Sequence, residues 1–248
     1  MEPIHHIYEC DSPARFMCLG CESLVRDWLN TDFLRNILCD KEGNWSARGV
    51  VDTKNQIFPM TLDTKVLSKI FESQIAGPLG DLLEGDAILI EADYQNQYPD
   101  FSIHIPNDDD TLIALDVKST YRTANGLVNG MTLGAYSKTS YFRNRNSKKN
   151  IKFPYNTYCA HLVLGIVYSR GEVNENPITI QTVDEINDIP TPVKNLDFFI
   201  RPKWAIASKR AGSGNTTNIG SINNEWELFN GQGSFKNEKE FDEYWMNY

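Results

Sequence analysis

The stretch that decides the fold is "YPDFSIHIPNDDDTLIALDVKSTY", residues 98–121. It holds two apolar segments separated by the polar residues PNDDD, a pattern typical of an antiparallel β-hairpin. The second segment is too apolar for the protein surface, yet Asp116 and Lys118 stand near its end. A charge in a buried strand is costly unless it is paired or holds a metal ion. The hairpin therefore predicts a site built from charged side chains.

Strand alternation predicts which way these side chains face. Alternate residues of a strand lie on the same face, so Asp116 and Lys118 share one face. Ile113, Leu115 and Val117 take the other face, toward the core. The polar residues come only at the carboxyl end of the strand, where a site is most easily opened.

Asp100 begins the preceding strand, so a tight hairpin would bring it near Asp116. Two carboxylates at one point repel, and each raises the pKa of the other unless a cation joins them. Mg²⁺ suits such a pair because it takes one or two carboxylates and completes its shell with water and substrate phosphate. Lys118 could then orient or deprotonate a water, or neutralise charge on a phosphate. The alternative is a surface ion pair between Asp116 and Lys118, because this spacing is common by chance.

Charge is segregated along the chain. The net charge of −9 argues against a nucleic-acid partner, but no Asp or Glu occurs from Val117 to Gly171 or from Phe198 to Asn224. Both stretches contain several Lys and Arg residues, and a local positive field attracts phosphate whatever charge lies elsewhere. A solvated basic loop around "RNRNSKKNIK" would explain the local cluster, but not the length of the acid-free stretch.

The remaining segments predict an α/β (α+β) fold with a mixed central β-sheet flanked by helices. "DTKVLSKIFESQI" reads as a helix that Asp63 or Thr64 caps and that Gly77-Pro78 ends. The other predicted elements are helices in "CESLVRDWLNTDFLRNIL" and "NEKEFDEYWMNY", a hairpin in "GVVDTKNQIFPM", and strands in "AHLVLGIVYS", "LDFFI" and "KWAIAS".

A polar loop, "AGSGNTTNIGS", spans residues 211–221. It lacks the Gly-Lys-Ser/Thr of a nucleotide-binding P-loop, and Thr217 stands where a dinucleotide fingerprint has its third glycine. Asn215 could bond bidentately to adenine, and Thr217 could contact a thymine methyl group. The alternative is an ordinary polar surface loop. A second amide-rich loop, "YQNQYP", precedes Asp100.

Cysteines concentrate near the start of the chain. Cys18 and Cys21 form a C-x-x-C, with Cys10, Cys39, His5 and His6 nearby. Thiolates and imidazoles at short spacing suit Zn²⁺, although the second C-x-x-C of the usual pattern is missing. The alternative is a set of reduced, partly buried thiols. We expect residues 1–45 to form a cysteine-containing N-terminal extension and residues 46–248 to form the main domain.

The sequence gives no sign of membrane insertion or secretion. No apolar run reaches the roughly 18 residues of a membrane span. The start "MEPIHHIYECDSPARF" lacks the basic and apolar regions of a secretory signal. We therefore expect a cytoplasmic protein with no membrane partner.

Several segments together resemble the EcoRV family of type II restriction endonucleases, within the P-D…D-x-K nuclease superfamily. These segments stand in the family's order between Gly49 and Tyr248: "DTKVLSKIFE", "QNQYPDFSI", "IALDVKSTY", "TLGAY", "AHLVLGIVY" and "AGSGNTTNIGS". The resemblance implies Mg²⁺-dependent hydrolysis of double-stranded DNA at a short palindrome, with Mn²⁺ able to substitute. It further implies GATATC cut to blunt ends, a homodimer, and a DNA methyltransferase as a functional rather than a stably bound partner.

The resemblance also implies roles for individual residues. Asp100, Asp116 and Glu72 would bind the metal and, with Lys118, form the catalytic set. The loop would read bases through Gly212, Ser213, Gly214, Asn215, Thr216 and Thr217. The minor groove and the DNA backbone would be contacted by Gln95, Asn96, Gln97, Lys65, Ser119, Thr120, Thr139 and Ser140, and the basic stretch would add Arg143 and Lys148.

Two other functions remain open from the residues alone. One is a sequence-specific DNA-binding protein without catalytic activity, which would explain the basic stretches but not two acids beside the phosphate path. The other is a repair or structure-directed nuclease that uses the same core without reading a palindrome.

Overall fold

The computed structural model describes residues 7–9, 16–106, 110–135, 141–172, 181–212 and 218–248. The described helices are α1 (Leu19–Trp28), α2 (Thr31–Leu38), α3 (Thr64–Leu83), α4 (Lys203–Ile206), α5 (Glu225–Asn230) and α6 (Glu238–Asn247). The described strands are β1 (Ile7–Glu9), β2 (Phe16–Cys18), β3 (Gly49–Val51), β4 (Gln56–Pro59), β5 (Ile88–Glu91), β6 (Phe101–Ile105), β7 (Thr111–Tyr121), β8 (Thr132–Ala135), β9 (Ala160–Arg170), β10 (Gln181–Thr182), β11 (Val193–Pro202), β12 (Ala207–Ala211) and β13 (Asn218–Ser221).

A five-stranded mixed sheet forms the centre of the protein, with strand order β11-β9-β7-β6-β5. The pair β7 and β9 is parallel, whereas the other neighbours are antiparallel. Parallel pairing requires a long crossover, and the segment between β7 and β9 includes β8 and the basic stretch. The predicted α+β fold with a mixed central sheet is confirmed.

Each face of the central sheet packs against a separate apolar core. Ile113, Leu115 and Val117 of β7 face the core that α1, α2 and α3 cover, whereas Leu112 and Ala114 face the opposite core. The predicted alternation is therefore confirmed. Helices α1 and α2 share the first core with α3 and the sheet, whereas the division of the chain at residue 45 stays a prediction.

Helix α3 begins as predicted. The side chain of Asp63 accepts hydrogen bonds from the main-chain N–H groups of Lys65 (2.9 Å) and Val66 (3.2 Å). These two donors have no partner within the helix, so the cap satisfies them and fixes the start of the helix.

The predicted end of α3 at Gly77-Pro78 is wrong, because the helix continues to Leu83. Proline at position 78 removes one main-chain hydrogen bond, which ordinarily costs about 3 kcal/mol. Leu79 and Leu83 are fully buried in the apolar core, and burying two leucines returns about 1.5–3 kcal/mol each. The burial of Leu79 and Leu83 therefore outweighs the tendency of Pro78 to end the helix.

The predicted strand "KWAIAS" is also wrong. Its first four residues form the short helix α4, between β11 and β12. Proline at position 202 donates no hydrogen bond and ends the pairing of β11 with β9, at Leu162. Ile206 is then buried in the second core, with the chain directed away from the central sheet.

The predicted loop 211–221 is shorter than expected, because β13 begins at Asn218. Strand β13 lies between β12 and β8 in a separate three-stranded sheet. Ala135, the last residue of β8, pairs with Asn218, the first residue of β13. Residues 136–140 and 213–217 lie outside the described residues.

A second small sheet has the order β10-β4-β3, with the predicted hairpin as β3 and β4. Val50 and Phe58 are paired across this hairpin, and their exposed fractions are 55% and 58%. Strands β1 and β2 form a further antiparallel pair. The described part of the chain contains no helix with the length and apolarity needed to cross a membrane.

Candidate active site

The hairpin of β6 and β7 brings Asp100 and Asp116 together. Phe101 pairs with Leu115, so the next position of the antiparallel ladder sets Asp100 opposite Asp116. The main-chain N–H of Val117 donates a 2.8 Å hydrogen bond to Oδ2 of Asp100. The proximity predicted from the sequence is confirmed.

The ammonium group of Lys118 lies between the two carboxylates. Its Nζ is 2.8 Å from Oδ2 of Asp116 and 3.4 Å from Oδ2 of Asp100. The ion pair expected as the alternative thus exists, but it is not a surface pair, because only 5% of the Asp116 side chain is exposed. Taking these charges out of water is costly, which argues for a role beyond stability.

Burial and charge shift the pKa values of all three groups. Burial raises the pKa of Asp100 to about 7, and Asp116 and Glu72 add to the rise although Lys118 opposes it. Burial also acts to raise the pKa of Asp116, but Lys118 and Lys203 outweigh it and the pKa is lowered. Burial acts to lower the pKa of Lys118, but the two carboxylates outweigh it and the pKa is raised. The two carboxylates therefore differ, because the pKa of Asp100 is raised and that of Asp116 is lowered.

Helix α3 approaches this site from one side. The hydroxyl oxygens of Ser68 and Ser119 are 2.7 Å apart, which joins α3 to β7 beside Lys118. Glu72 lies one helical turn after Ser68, and its carboxylate forms an ion pair with Lys69. Glu72 is close enough to raise the pKa of Asp100, but its metal-binding role stays a prediction.

The acidic pair suits a hard divalent cation. Carboxylate oxygens are the donors that Mg²⁺ prefers. The raised pKa of Asp100 reflects its burial first and the neighbouring acids Asp116 and Glu72 second. Within the described ranges, no group of three His, Cys, Asp or Glu side chains is arranged to hold a metal ion. A cation at Asp100 and Asp116 would therefore need water and substrate oxygens to complete its shell.

The amide-rich loop before Asp100 contains both exposed and buried side chains. Gln95 and Asn96 are exposed, as a contact with DNA requires. Gln97 is buried, and its Oε1 accepts a 2.6 Å hydrogen bond from the main-chain N–H of Asp93. Gln97 therefore stabilises the conformation of the loop through this internal hydrogen bond.

The residues predicted to lie near the DNA backbone also differ in their exposure. Lys65 is exposed in the first turn of α3, whereas Ser119 is half-buried against Ser68. Thr120 is buried, and its hydroxyl donates to the main-chain oxygen of Asn129. Thr120 thus stabilises the end of β7 and does not face the surface.

Most of the predicted reading loop lies outside the described residues. Those residues are Ser213, Gly214, Asn215, Thr216 and Thr217, together with Thr139 and Ser140 of the segment after β8. Gly212 is described, and its N–H donates a 2.7 Å hydrogen bond to the main-chain oxygen of Asn218. The base of the loop is therefore closed by β12 and β13.

The acid-free basic stretch contains both exposed and half-buried cations. Lys148 is exposed, whereas Nη2 of Arg143 donates to the main-chain oxygen of Tyr248 at 2.8 Å. Arg145 stacks on the ring of Tyr155 and forms a 2.8 Å ion pair with the buried Asp242 of α6. Arg145 therefore anchors the basic loop to the C-terminal helix, a role that the sequence pattern did not distinguish.

Sequence reasoning missed Lys203 as a residue of this site. It begins α4, only 3% of it is exposed, and its pKa is lowered to about 7 by burial. Its charge acts on Asp116, which is far away along the chain. The sequence offered little signal, because Lys203 follows Arg201 and Pro202 at the end of the apolar segment "LDFFI" and resembles an ordinary surface cation.

The cysteines give no zinc site within the part of the chain that the structure describes. The Sγ atom of Cys21 lies 3.3 Å from that of Cys159, near the first core. The side chains of Cys10 and Cys18, and both N-terminal histidines, lie outside the described residues. The zinc hypothesis stays a prediction.

A family model described as "Restriction endonuclease EcoRV" matches residues 41–248. The chain belongs to the EcoRV family of type II restriction endonucleases. It is 38% identical over 222 residues to the "Type II restriction enzyme EcoRV" of Escherichia coli, and the match covers 89% of each chain.

This match to the EcoRV enzyme corrects the extent of the resemblance. The matched length is greater than the stretch from Gly49 to Tyr248, so it includes part of the N-terminal segment. That agrees with the packing of α1 and α2 into the first core.

Proposed function

We propose that this enzyme hydrolyses phosphodiester bonds of double-stranded DNA at a short palindrome and requires Mg²⁺. The observation that supports this most directly is the assembly of Asp100, Asp116 and Lys118 where the start of β6 lies beside the middle of β7. A DNA-binding surface alone would gain nothing from two buried carboxylates, because they repel phosphate.

Asp100 and Asp116 are the proposed ligands of the cation, with Glu72 as an additional acid and Mn²⁺ able to replace Mg²⁺. Such a cation stabilises negative charge on a phosphate and lowers the pKa of a bound water. Asp100 is oriented by the N–H of Val117 and contacted by Lys118, both at Oδ2. Asp116 is held by burial and by Lys118.

Lys118 is the proposed partner of the reacting phosphate. Its raised pKa means that the amino group keeps its proton in the protein without a bound cation. A protonated lysine donates hydrogen bonds and neutralises charge that develops in the transition state. This favours the charge-stabilising role over the role of general base.

The exposed groups around the site support binding of double-stranded DNA. Lys148 and Lys65 are exposed cations that can contact phosphates, and Gln95 and Asn96 are exposed amides beside Asp100. We propose that residues 212–217 read bases in the major groove. Because this loop is so similar to that of the family, we propose the site GATATC, cut to blunt ends at its easily unstacked TA step.

We further propose a homodimer, because two-fold symmetry in the protein matches a palindromic site. The exposed side chains of Val50 and Phe58 offer an apolar surface for a second copy of this chain. A restriction enzyme must also be kept from cutting its own genome, so we propose a DNA methyltransferase as its functional partner. Because the substrate is DNA, we propose a cytoplasmic location.

The test is incubation of the purified protein with plasmid DNA, with Mg²⁺ and with EDTA, followed by sequencing of the fragment ends. We expect discrete blunt fragments that share GATATC and form only with Mg²⁺. Discrete fragments at another palindrome would overturn the proposed site but not the activity. A smear would indicate a repair or structure-directed nuclease. Intact DNA that is still retarded on a gel would indicate a binding protein without activity.

A further inference from the structure

Two buried hydrogen bonds join the chain on either side of Asp100 to residues 158–161, where β9 begins. The hydroxyl of Tyr98, two residues before Asp100, lies 2.8 Å from Nδ1 of His161. The hydroxyl oxygen of Ser102, two residues after Asp100, lies 2.8 Å from that of Tyr158. All four of these partners are at most 6% exposed. Asp100 therefore stands between two fixed points on one neighbouring segment.

The ring of His161 is itself fixed. Its Nε2 lies 3.2 Å from the main-chain oxygen of Tyr155, which can only accept a hydrogen bond, so Nε2 carries the hydrogen. In the neutral ring Nδ1 is then an acceptor, and the hydroxyl of Tyr98 donates to it. The ring also stacks on that of Tyr155, with 3.8 Å between the ring centres. His161 thus defines where the Tyr98 hydroxyl can lie.

The main chain at Tyr98 is paired with the end of the basic stretch. Its N–H donates to the oxygen of Asn150 at 3.0 Å, and its oxygen accepts from the N–H of Lys152 at 2.8 Å. These bonds hold the backbone of Tyr98, whereas His161 holds the end of its side chain. A single residue separates Tyr98 from Asp100, so a shift at Tyr98 also moves the acid.

The contacts of Asp100 with β7 tolerate little displacement. Its Oδ2 accepts a 2.8 Å hydrogen bond from the N–H of Val117 and lies 3.4 Å from Nζ of Lys118. Such contacts weaken steeply when their geometry changes. A misplacement of about 1 Å at a catalytic group can slow a reaction about a hundredfold. The activity therefore depends on whatever holds the start of β6 in place.

We propose that His161 is a positioning residue for DNA cleavage: through its hydrogen bond with Tyr98 it fixes the place of Asp100 relative to Asp116 and Lys118. This inference rests on the proposed catalytic role of Asp100. His161 does not touch the DNA or the reacting phosphate. It acts only through Tyr98, at the point where the chain enters β6.

A purely structural role makes a different prediction. If the bond between Tyr98 and His161 only stabilises the second core, its loss would lower the free energy of unfolding and leave the cleavage rate of the folded enzyme unchanged. Positioning of Asp100 predicts a slower cleavage step with unchanged DNA affinity, because the groups proposed to bind DNA are elsewhere. The rate of the chemical step separates the two roles.

Three changes act on this bond in the full chain. Tyr98→Phe removes the donor and keeps the ring, and it is the mildest change. His161→Phe removes the acceptor and keeps a flat ring against Tyr155. His161→Asn is the conservative variant, because its amide oxygen takes a place close to that of Nδ1. The double variant of Tyr98→Phe and His161→Phe tests whether the two residues act through the same bond.

Two further variants serve as controls. Thr191→Val removes another buried hydroxyl, which donates a 2.8 Å hydrogen bond to the main-chain oxygen of Val193 at the start of β11. It should lower stability without changing cleavage. Asp100→Asn tests the proposed catalytic role of Asp100 itself. Single-turnover cleavage of plasmid DNA with Mg²⁺ and excess enzyme gives the rate, gel retardation gives the DNA affinity, and urea unfolding ensures that each variant is folded in the assay.

We expect Tyr98→Phe and His161→Phe each to slow cleavage on the order of tenfold, with the DNA affinity of the wild type. The double variant should be no slower than the slower single variant, and His161→Asn should regain part of the rate. Wild-type rates in both single variants, or losses that multiply in the double variant, would overturn the inference. With Asp100→Asn inactive, the proposed function would still stand. Undiminished cleavage by Asp100→Asn would overturn the role of Asp100 and the inference together.

Discussion

The main-chain N–H of Val117 donates a 2.8 Å hydrogen bond to Oδ2 of Asp100, which joins an acidic side chain of one strand to the backbone of the next. The bond orients Asp100 toward Lys118 without using both of its oxygens. Asp100 is therefore held by the backbone of β7 as well as by Lys118, whereas Asp116 is held by its burial and by its ion pair with Lys118.

Asp116→Ala should abolish Mg²⁺-dependent cleavage and leave DNA binding intact. The change removes a proposed cation ligand and also a negative charge that repels phosphate, so binding without metal should be equal or tighter. Cleavage of plasmid DNA and gel retardation with EDTA measure the two effects. Asp86→Ala, at an exposed acid after α3, is the control. Cleavage by Asp116→Ala at near the wild-type rate would show that the active site lies elsewhere.

Asn215→Ala should reduce discrimination between bases. Loss of one bidentate contact costs about 1–3 kcal/mol of discrimination. Competition binding between the cognate duplex and duplexes with a single changed base pair measures this. The exposed Asn144, in the basic loop, supplies the control Asn144→Ala. If the wild type and Asn215→Ala rank all duplexes equally, the loop does not read bases.

Lys148→Ala should weaken binding to every DNA sequence alike. Each lost phosphate contact lowers the salt slope of the binding constant by about 1. Binding measured over a series of salt concentrations gives that slope. Lys41→Ala removes one exposed lysine in the loop after α2 and should leave the slope unchanged. An unaltered slope for Lys148→Ala would refute the phosphate contact.

Asp242→Asn should destabilise the protein, because it leaves the half-buried Arg145 without its charged partner. Breaking such a pair from one side costs about 3 kcal/mol in the free energy of unfolding. Arg145→Met in addition should recover much of the loss, since it removes the uncompensated charge. Urea unfolding of the two single variants and the double variant measures the coupling. Additive losses would show that the two groups are not coupled.

Phe58→Ser should weaken the proposed homodimer, because it makes the exposed apolar surface of β3 and β4 polar. Sedimentation equilibrium should show a shift toward monomer, and cleavage should then depend more steeply on protein concentration. Trp226→Ser removes an apolar side chain that is 63% exposed on α5, and it serves as the control. An unchanged dimer in Phe58→Ser would place the interface elsewhere.

The sequence predicted the parts of the site that depend on local periodicity. Asp116 and Lys118 share a face because strand alternation is a property of neighbouring residues, and Asp100 follows from the hairpin. Asp63 caps α3 for an equally local reason.

The sequence failed where distant packing decides the structure. Pro78 did not end α3, because the leucines after it are buried against the sheet. Lys203 could not be assigned, because its effect on Asp116 depends on the turn after β11 and on Gly134 of another sheet. A buried cation is recognised only when the chain segments that bury it are known.

Strand β13 pairs with β12 on one side and with β8 on the other. The described residues that flank the two proposed recognition segments, Ala135 before residues 136–140 and Asn218 after residues 213–217, are thus paired with each other at one end of β13. If both segments contact DNA as proposed, replacing only one of them would leave the other placed for the original base sequence. A change of specificity is therefore expected to require that β8, β12 and β13 be replaced together.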